Sequence, residues 1–535
     1  MRVGQLPTDE LMNLAGRVVG VLVVLLQVAL IPLVLVRRKE ASSTIAWILT
    51  LLFLPALGAF LFLLFGRDRV RMGASRKRRA KAESRARLRG VVQRARPEMR
   101  AETAPGQGGG SDAPASFDSA NDIALAFENV ELETRLSLLD PRDRPIFRVG
   151  GRLGHMAATG GNEIAVMSGG EEAIATKFEA IAAARTSVHA EYYLVRNDET
   201  GRRFRDVLIE AAKRGVRVRL LVDGFGGIAL DSSYVRAFEA AGVSMARFLP
   251  ISAFGTGLHA RLLGAFQWNL RNHRKILVID GALGFTGGVN IGDDVKTWRD
   301  THVSIRGPAV HSLQALFLED WEFATGKSVV DAADFPSSPA PPPDGARAES
   351  THGRGVVEIV ASGPDTANEA IHRVFFAAIT SARERVYITT PYFVPDRALL
   401  VALQTAALSG VDVKMIVPFR SNHVVTAAAG RSFYEECLEA GVGIYEYLPG
   451  MIHSKTIVVD GRIALVGSAN MDMRSFRLNY EVHAVLRDAA TAAKLERTFD
   501  QDLGHTRKLE LDEWRKRGLR ARVIEGAGRL MAPLL

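Results

Sequence analysis

Two segments of the chain carry the same side chains at the same spacing, and these side chains can act on a phosphate ester. In each segment a lysine follows a histidine by two positions, an aspartate follows it by seven and an asparagine by seventeen. The residues are His273, Lys275, Asp280 and Asn290 in the first segment, and His453, Lys455, Asp460 and Asn470 in the second. Matching offsets of this kind are improbable by chance, so we expect both segments to contribute to one site.

A site with two imidazoles, two ammonium groups and two amides suits a phosphodiester. Lysine and asparagine side chains bind phosphoryl oxygens and stabilise negative charge as it develops. One imidazole can attack phosphorus while the other protonates the leaving alcohol, and the second can then take a proton from the incoming alcohol. Because the lysines supply the positive charge, we expect the reaction to need no metal ion and no cofactor.

Each histidine opens a run rich in Ile and Val that ends at Asp-Gly, a sequence typical of a hairpin turn. The pattern predicts a strand that contains both the histidine and the lysine. Since side chains alternate faces along a strand, His273 and Lys275 should share the face that lines the cleft. Asp280 and Asp460 belong to the repeated catalytic set, but they lie an odd number of residues away. Geometry therefore predicts that they brace the turn or the neighbouring backbone.

The two motifs lie in two longer segments, about 118–330 and 356–505, that share an order of elements, and the second domain is predicted to extend over 356–535 with a C-terminal tail. A Pro-rich spacer at 331–355 separates them. Each segment has a predicted helix, then a strand, a helix and a second strand before the motif. The first helices and strands are predicted at Glu171–Ala184, Ser187–Tyr193, Asn368–Ser381 and Arg385–Tyr392. Alternating helices and β-branched strands predict an α/β fold with a mixed or parallel sheet, built from two repeats with pseudo-two-fold symmetry.

The N-terminus has the composition of a membrane segment. Val18–Val36 and Thr44–Phe65 are almost entirely apolar, and each is long enough for a helix to cross ~30 Å of hydrocarbon. We therefore predict two transmembrane helices forming a hairpin over residues 1–66, with a pair of buried core helices as the alternative.

The segment that follows, 67–117, is predicted to be a basic tether and linker. Residues 67–100 hold fourteen Lys and Arg against three Asp and Glu. The positive-inside rule then places the C-terminal body in the cytoplasm of a bacterial cell, with the hairpin as a multi-pass anchor in the inner membrane. The same rule conflicts with Arg37, Arg38 and Lys39 on the far side, and a re-entrant hairpin would remove this conflict.

The net charge of +9 is concentrated in that tether, which contributes +11 and leaves about −2 for the other 501 residues. A nearly neutral body argues against nucleic acid as a partner, because such proteins need a basic groove. The single cysteine, Cys437, excludes an internal disulfide and a cysteine-based metal site, and we expect it to be a core or surface residue of a helix and not a nucleophile.

These two motifs, with Gly287-Gly288-Val-Asn290 and Gly467-Ser468-Ala-Asn470 after them, resemble those of the phospholipase D superfamily. Within it the chain is most similar to bacterial cardiolipin synthases. The likeness covers nearly the whole chain and rests on several further motifs: Ser43-Thr-Ile-Ala-Trp47, Asn272-His-Arg-Lys275, Phe285-Thr-Gly-Gly288, Trp298-Arg-Asp-Thr-His302, Pro391-Tyr-Phe393 and Pro449-Gly-Met-Ile-His453.

The resemblance implies specific roles for the site residues. The family forms a covalent phosphohistidine and places an acidic residue after each motif that orients a catalytic histidine. The matching positions are Asp300 and Glu481, with Asn290, Asn470 and Ser468 as the residues that bind or support the substrate phosphate.

The implied reaction joins two phosphatidylglycerol molecules into cardiolipin and releases glycerol. His273 is assigned the attack and His453 the proton transfers. The implied partners are phosphatidylglycerol, other anionic phospholipids and the membrane.

Other functions remain open on the sequence alone. A hydrolytic phospholipase D, or a transferase with another donor such as phosphatidylethanolamine, would use the same catalytic residues. A nuclease suits the motif but not the apolar N-terminus. A non-catalytic scaffold that binds anionic lipid through residues 67–100 is the alternative of another class, although both motifs are intact.

Overall fold

The structure is a computed structural model. It describes residues 41–62, 139–154, 156–250, 269–336, 355–366 and 368–532, with shorter pieces at 20, 24–25, 28–35 and 136–137. The expected tether and linker at 67–117 and the start of the first repeat at 118–135 lie outside these residues, as does most of the Pro-rich spacer.

Helices and strands alternate along both repeats. The helices are α1 (Ala41–Phe53), α2 (Pro55–Leu61), α3 (Arg144–Gly154), α4 (Gly170–Ala183), α5 (Glu199–Lys213), α6 (Ser232–Ala240), α7 (Asp293–Lys296), α8 (Ala309–Thr325), α9 (Ala370–Ser381), α10 (Arg397–Leu408), α11 (Val424–Arg431), α12 (Tyr434–Glu439), α13 (Met473–Arg477), α14 (Ala489–Leu503), α15 (Leu511–Arg515) and α16 (Leu519–Met531). A 3-10 helix covers Ala332–Asp334.

The strands are β1 (Thr159–Met167), β2 (Ser187–Tyr192), β3 (Arg217–Asp223), β4 (Ser244–Phe248), β5 (Arg271–Asn272), β6 (Ile276–Ile279), β7 (Leu283–Gly287), β8 (His302–Arg306), β9 (Gly355–Ser362), β10 (Arg385–Thr389), β11 (Phe393–Val394), β12 (Asp412–Pro418), β13 (Gly443–Tyr447), β14 (Thr456–Val459), β15 (Ile463–Gly467), β16 (Met471–Asp472), β17 (Asn479–Arg487) and β18 (Thr506–Lys508).

One mixed sheet runs through both repeats, and its strand order shows their symmetry. The order is β18-β13-β12-β10-β14-β15-β17-β9-β1-β8-β7-β6-β2-β3-β4, with β5 paired to β17 off this path. Reading outward from the central antiparallel pair β1–β9, each half has equivalent strands in the same order. In both halves the outer strands are parallel: β2 with β3 and β4, and β10 with β12 and β13. The predicted α/β class with two repeats in a mixed sheet is confirmed.

Strand composition explains this arrangement. β2 and β9 are buried along their whole length, as expected for strands covered on both faces. The helices that connect the parallel strands begin at capping aspartates: Asp198 accepts from the Gly201 amide before α5, and Asp396 accepts from the Leu399 amide before α10. A separate buried apolar cluster joins the halves, with Ile276 and Val482 among its members.

The boundary between the repeats does not follow the chain. Helix α3 precedes β1, but Ile146 and Phe147 belong to the buried core of the second repeat, with residues of α9 and β10. At the other boundary, Asp334 of the 3-10 helix lies 2.9 Å from the Arg217 guanidinium of the first repeat. The first described residues of the expected spacer therefore pack against the first repeat.

The described N-terminal residues form a small apolar unit of their own. Helices α1 and α2 are separated at Leu54, and Pro55 opens α2. Leu51 and Phe62 are buried in a cluster of this unit, and the Trp47 ring contacts Phe62 edge-on at 5.3 Å. Other large apolar side chains are exposed, including Ile45, Leu49, Leu52, Phe53 and Leu57.

The described residues include no helix with both the length and the apolar character needed to cross a bilayer. The two transmembrane helices expected at Val18–Val36 and Thr44–Phe65 are therefore not seen as such. In the described part of the second run, the helix is interrupted before Pro55, because proline lacks the amide that would continue the hydrogen-bond ladder. Much of the first run lies outside the described residues.

Removing the α3 aromatic side chain tests the placement of this helix on the second repeat. Phe147→Ala should lower the free energy of unfolding by about 3–5 kcal/mol, because it leaves a cavity in a fully buried site. Thermal unfolding in detergent measures the effect, with the exposed Arg152→Ala on the same helix as the control. An equal thermal midpoint for both variants would contradict this packing.

Candidate active site

Each catalytic histidine lies just before a strand, not within it. His273, Arg274 and Lys275 are extended residues between β5 and β6, and His453, Ser454 and Lys455 precede β14 in the same way. The prediction that a strand contains the histidine and the lysine was wrong in this respect. Each of these strands has four residues and begins directly after its lysine.

The backbone before each histidine is paired with the opposite repeat. The His273 amide donates to the Tyr480 carbonyl at 2.9 Å, and β5 pairs with the start of β17. In the other half the His453 amide donates to the Arg299 carbonyl at 2.7 Å, next to a bridge between Arg299 and Ile452. These two equivalent contacts bring both motifs to one place in the body.

As a result, each histidine contacts a carboxylate of the opposite repeat. His273 Nδ1 lies 2.9 Å from Glu481 Oε1, and His453 Nδ1 lies 2.7 Å from Asp300 Oδ2. Each histidine is therefore held by the acidic residue of the other half. The resemblance placed Asp300 and Glu481 as orienting acids, and the structure adds which histidine each one contacts.

Further side chains fix the Glu481 carboxylate. The Ser468 hydroxyl donates to Glu481 Oε2, and the Asn479 amide donates to Oε1 at 3.1 Å. Since a carboxylate on Nδ1 keeps the proton there, the Nε2 lone pair of His273 is left available for reaction. Ser468 thus acts through Glu481 in this structure.

Each motif lysine contacts the backbone of the histidine two residues before it. Lys275 Nζ donates to the His273 carbonyl at 2.5 Å, and Lys455 Nζ donates to the His453 carbonyl and lies 3.0 Å from its Nδ1. Both lysines are buried. Two buried ammonium groups beside two buried carboxylates form a nearly neutral set.

Burial controls the protonation of these groups. It lowers the pKa of His273 to about 4 against an opposing contribution from Glu481, and it lowers the pKa of His453 to about 3 with a further contribution from Lys455. Burial also lowers the pKa of Lys275 to about 7 and that of Lys455 to about 8. Both imidazoles are therefore neutral at neutral pH, as a nucleophile and a proton acceptor must be.

The carboxylates stay ionised despite their burial. Burial alone would raise the pKa of Asp300, but Lys455 and His453 hold it below its usual value. In the same way His273 and Lys275 outweigh burial and lower the pKa of Glu481 to about 2. Ionised carboxylates can each accept the Nδ1 proton of a neutral imidazole.

The asparagines occupy equivalent turns but differ in their contacts. Asn290 Oδ1 accepts from the Leu194 amide at 3.2 Å, and its amide nitrogen makes no hydrogen bond within the part of the chain that the structure describes. Asn470 donates from Nδ2 to Asp472 at 3.1 Å, and its Oδ1 is buried without a partner among the described residues. The expected role of both in phosphate binding stays a prediction.

The motif aspartates lie at the turns, away from the histidines. Asp280 accepts hydrogen bonds from the amides of Arg185, Thr186 and Ser187. Asp460 accepts equivalent bonds from residues 383–385. These contacts match the bracing role expected from the strand geometry, and the inclusion of both aspartates in the catalytic set stays a prediction.

Several residues that support the site were not singled out in the sequence. The Arg274 guanidinium donates to the Glu481 carbonyl at 3.2 Å and pairs with Asp320. Arg299 donates to the Asp300 carbonyl at 2.8 Å and pairs with Asp502. Each arginine thus holds the backbone of an orienting acid. In the sequence each arginine is next to a motif residue, and this was the available signal of a supporting role. An exposed arginine at the same position would have given the same signal.

Two buried histidines hold the small-residue turns. His302 accepts from the Val289 amide at 3.4 Å, and His483 accepts from the Ala469 amide at 3.1 Å. Burial lowers the pKa of His483 to about 4 and keeps both rings neutral, so that they can accept. They lie two residues after Asp300 and Glu481, a match that the sequence shows but does not explain.

Aromatic rings flank the catalytic imidazoles. The Tyr193 ring lies 5.2 Å from that of His273, and the Trp298 ring lies 4.8 Å from that of His453. Within the described ranges no group of His, Cys, Asp and Glu side chains has an arrangement that could hold a metal ion.

Comparison with known proteins agrees with this geometry. A family model described as cardiolipin synthase, PLD-like domain, matches residues 178–321 and 375–503, one stretch in each repeat. The cardiolipin synthase of Geobacillus kaustophilus is 37% identical over 532 residues, covering 97% of this chain and 95% of that protein. The chain belongs to the cardiolipin synthase family of phospholipase D-like proteins.

Other members of the family show the same extent of similarity. The cardiolipin synthase of Alkalihalophilus pseudofirmus is 36% identical over 93% of this chain and 90% of that protein. Residues 22–67 match a second family model, described as phospholipase D–nuclease N-terminal. Among solved structures, phosphatidylserine synthase from Haemophilus influenzae shares the fold, with a TM-score of 0.54 and 16% identity over 73% of this chain and all of that one.

A methyl group at Gly288 should slow the reaction. A Cβ there would overlap the Asp300 carboxylate, which would have to move away from His453. We expect Gly288→Ala to lower kcat by about 100-fold, because small displacements of catalytic groups cost this much. Gly169→Ala is the control, since its Cβ would meet no atom within 4 Å. Equal rates for both variants would contradict the position of Asp300.

The bracing role of Asp280 predicts a loss of stability rather than of chemistry. Asp280→Ala should lower the free energy of unfolding by about 2–3 kcal/mol, since three amides lose a charged acceptor. Activity below the unfolding transition should fall by less than about tenfold, because no reacting group is touched. An inactive protein of unchanged thermal stability would contradict the bracing role and support the catalytic assignment.

Proposed function

We propose that this chain is a cardiolipin synthase that transfers a phosphatidyl group from one phosphatidylglycerol molecule to another, giving cardiolipin and glycerol. The crossed histidine–carboxylate pairs carry the proposal. They place two neutral imidazoles with defined tautomers beside two lysines, and this is what a two-step displacement at phosphorus requires. The names of the relatives support the choice of product.

His273 is the proposed nucleophile in the first step. Its Nε2 attacks the phosphorus of the donor lipid, forming an N–P bond, and the P–O bond to glycerol breaks. Glu481 contributes electron density to this ring and raises its basicity, and the His273 side chain is 13% exposed, against 7% for His453. The attack therefore falls to the more basic and more accessible of the two imidazoles.

His453 is the proposed acid in this step and the base in the next. The leaving glycerol oxygen takes a proton from His453 Nε2. In the second step His453 takes a proton from the head-group hydroxyl of the second phosphatidylglycerol, whose oxygen displaces His273 from phosphorus. Lys455 lowers the pKa of His453, which makes its imidazolium a stronger proton donor.

Binding of the substrate explains how His453 becomes protonated before it acts as an acid. Without substrate, Asp300 and Glu481 balance Lys275 and Lys455, so both imidazoles stay neutral. A phosphodiester adds one negative charge to the buried set, and one imidazolium restores the balance. Lysines and asparagines then stabilise the charge that develops on the phosphoryl oxygens.

The N-terminal unit is the proposed membrane anchor. Its exposed apolar side chains and the match of residues 22–67 to a second family model support this role. We propose that it anchors the enzyme in the inner membrane of a bacterial cell as a multi-pass hairpin, with the catalytic body in the cytoplasm. Both lipid substrates would then be concentrated in the same layer as the active site.

The reaction is tested in phosphatidylglycerol vesicles that contain the full-length enzyme. Wild type should release glycerol and form cardiolipin in equal amounts, whereas His273→Ala and His453→Ala should form neither. Mass spectrometry of the lipids and an enzymatic glycerol assay measure both products. Phosphatidic acid with glycerol and no cardiolipin would show hydrolysis, and lack of reaction would exclude this donor.

With phosphatidyl-p-nitrophenol, a donor whose leaving group needs no acid, the pH dependence of kcat/KM should follow His273, Lys275 and Lys455 of the free enzyme. Activity should fall below about pH 4, where the pKa of His273 lies, because the nucleophile becomes protonated. It should also fall as pH rises through about 7 to 8, because Lys275 and Lys455 lose their charges. A rate that keeps rising above pH 8 would contradict the role of the lysines.

A further inference from the structure

Helix α16 turns its apolar side chains away from the body. Leu519, Val523, Ile524, Leu530 and Met531 are between 44% and 83% exposed. At about 100° per residue these five side chains share one side of the helix, and a surface helix normally buries such a side. The residues of α16 that are buried are Glu525 and Gly528 instead.

The packing of α16 explains this inversion. Glu525 lies 3.5 Å from the Arg431 guanidinium of α11, and a Cβ on Gly528 would lie 2.7 Å from the Ala429 amide of that helix. Numbers rise along one helix as they fall along the other, so the helices run antiparallel. The last turn of α16 therefore lies beside the first turn of α11, which exposes Val424 and Val425.

These exposed residues form one surface, which we call the C-terminal apolar face. It consists of Leu519, Val523, Ile524, Leu530 and Met531 of α16 with Val424 and Val425 of α11. A close approach at Gly528 brings the two helices together, with Leu530 and Met531 in the turn of α16 that lies beside Val424 and Val425.

The start of the C-terminal apolar face lies near the catalytic site. The Tyr392 hydroxyl donates to Asn422 Oδ1 at 2.6 Å, and the Tyr392 ring lies 5.4 Å from that of His423, the residue before α11. The same tyrosine ring lies 6.4 Å from His453. A single side chain therefore links the start of the face to a catalytic imidazole.

The exposed charges on α16 are positive. Arg520 and Arg522 are exposed on α16, whereas its one acidic residue, Glu525, is buried and pairs with Arg517 at 3.1 Å. Such a surface is complementary to anionic headgroups. A second copy of the chain would bring like charges together, which opposes self-association through this face.

We propose that the C-terminal apolar face inserts into the surface of an anionic phospholipid bilayer and holds the mouth of the active site against it. The apolar side chains enter between the headgroups, and the arginines bind lipid phosphates. The choice of bilayer rests on the proposed function, because the substrates are lipids of that layer.

A position-specific probe tests the insertion without requiring turnover. In full-length enzyme carrying Cys437→Ala, Val523→Cys is labelled with an environment-sensitive fluorophore and reconstituted into phosphatidylglycerol vesicles. Leu408→Cys is the matched control, because Leu408 is 74% exposed but precedes the start of β12, whereas α11 follows the end of that strand. A nitroxide carried on lipid acyl chains should quench the probe at 523 and spare the probe at 408, and aqueous iodide should do the reverse.

Two results would overturn the proposal. Quenching of the 523 probe by iodide would leave the face in water, and shielding from both quenchers would mean that another copy or another segment of the chain covers it. If the lipid nitroxide quenches the 523 probe but the enzyme makes no cardiolipin, the proposed function is refuted. Insertion of the C-terminal apolar face into the bilayer is then still supported.

A second variant measures the consequence for the reaction. Val523→Gln with Leu530→Gln should lower the rate on bilayer phosphatidylglycerol by about tenfold, since weaker docking reduces access to lipid. The rate on short-chain phosphatidylglycerol below its micelle concentration should stay unchanged, as should both rates for Leu408→Gln. Equal loss on both substrates would overturn the proposal.

Discussion

The structure depends on the burial of four charges at the line where its two repeats meet. Lys275, Lys455, Asp300 and Glu481 are all buried, and each would be costly there alone. They are tolerated because each repeat supplies one charge of each sign to the same place. The crossed contacts to the histidines follow from this arrangement, and neither repeat has a complete site of its own.

The same constraint accounts for the long, shared sheet. The crossed contacts need the backbone before each histidine to run beside the backbone before the opposite acid. The pairing of β5 with β17 meets this need on one side, and the bridge from Arg299 to Ile452 meets it on the other. The β1–β9 pair at the centre then fixes the two halves relative to each other, so that the carboxylates lie within hydrogen-bond distance of the imidazoles.

The repeats are not identical where their roles differ. Arg274 lies between His273 and Lys275 and pairs with Asp320, whereas Ser454 occupies the equivalent place and shares a hydrogen bond with Thr301. The aspartate beside Asn470, Asp472, has Gly292 as its counterpart in the first repeat. Such differences allow a nearly symmetric site to give one imidazole the attack and the other the proton transfers.

Local patterns in the sequence were sufficient to predict part of the fold and part of the candidate site. The repeated offsets of His273 and His453 identified the reactive groups, and the odd spacing of Asp280 predicted its bracing contacts. The crossing of the acids could not be predicted, because it depends on how two distant repeats pair. For the same reason the sequence assigned the segment before β1 to the first repeat, whereas Phe147 packs in the second. His302 and His483 were visible only as parts of motifs, since a buried acceptor has no pattern of its own.

The crossed assignment is tested most directly with a donor whose leaving group needs no acid. Phosphatidyl-p-nitrophenol releases nitrophenolate when a histidine attacks phosphorus, and a rapid-mixing burst measures this step alone. We expect Glu481→Gln to slow the burst by at least about 100-fold, because the attacking His273 loses its tautomer, and Asp300→Asn to change it by less than about tenfold. A burst that is slowed by Asp300→Asn and left intact by Glu481→Gln would contradict the pairing of Glu481 with the nucleophile.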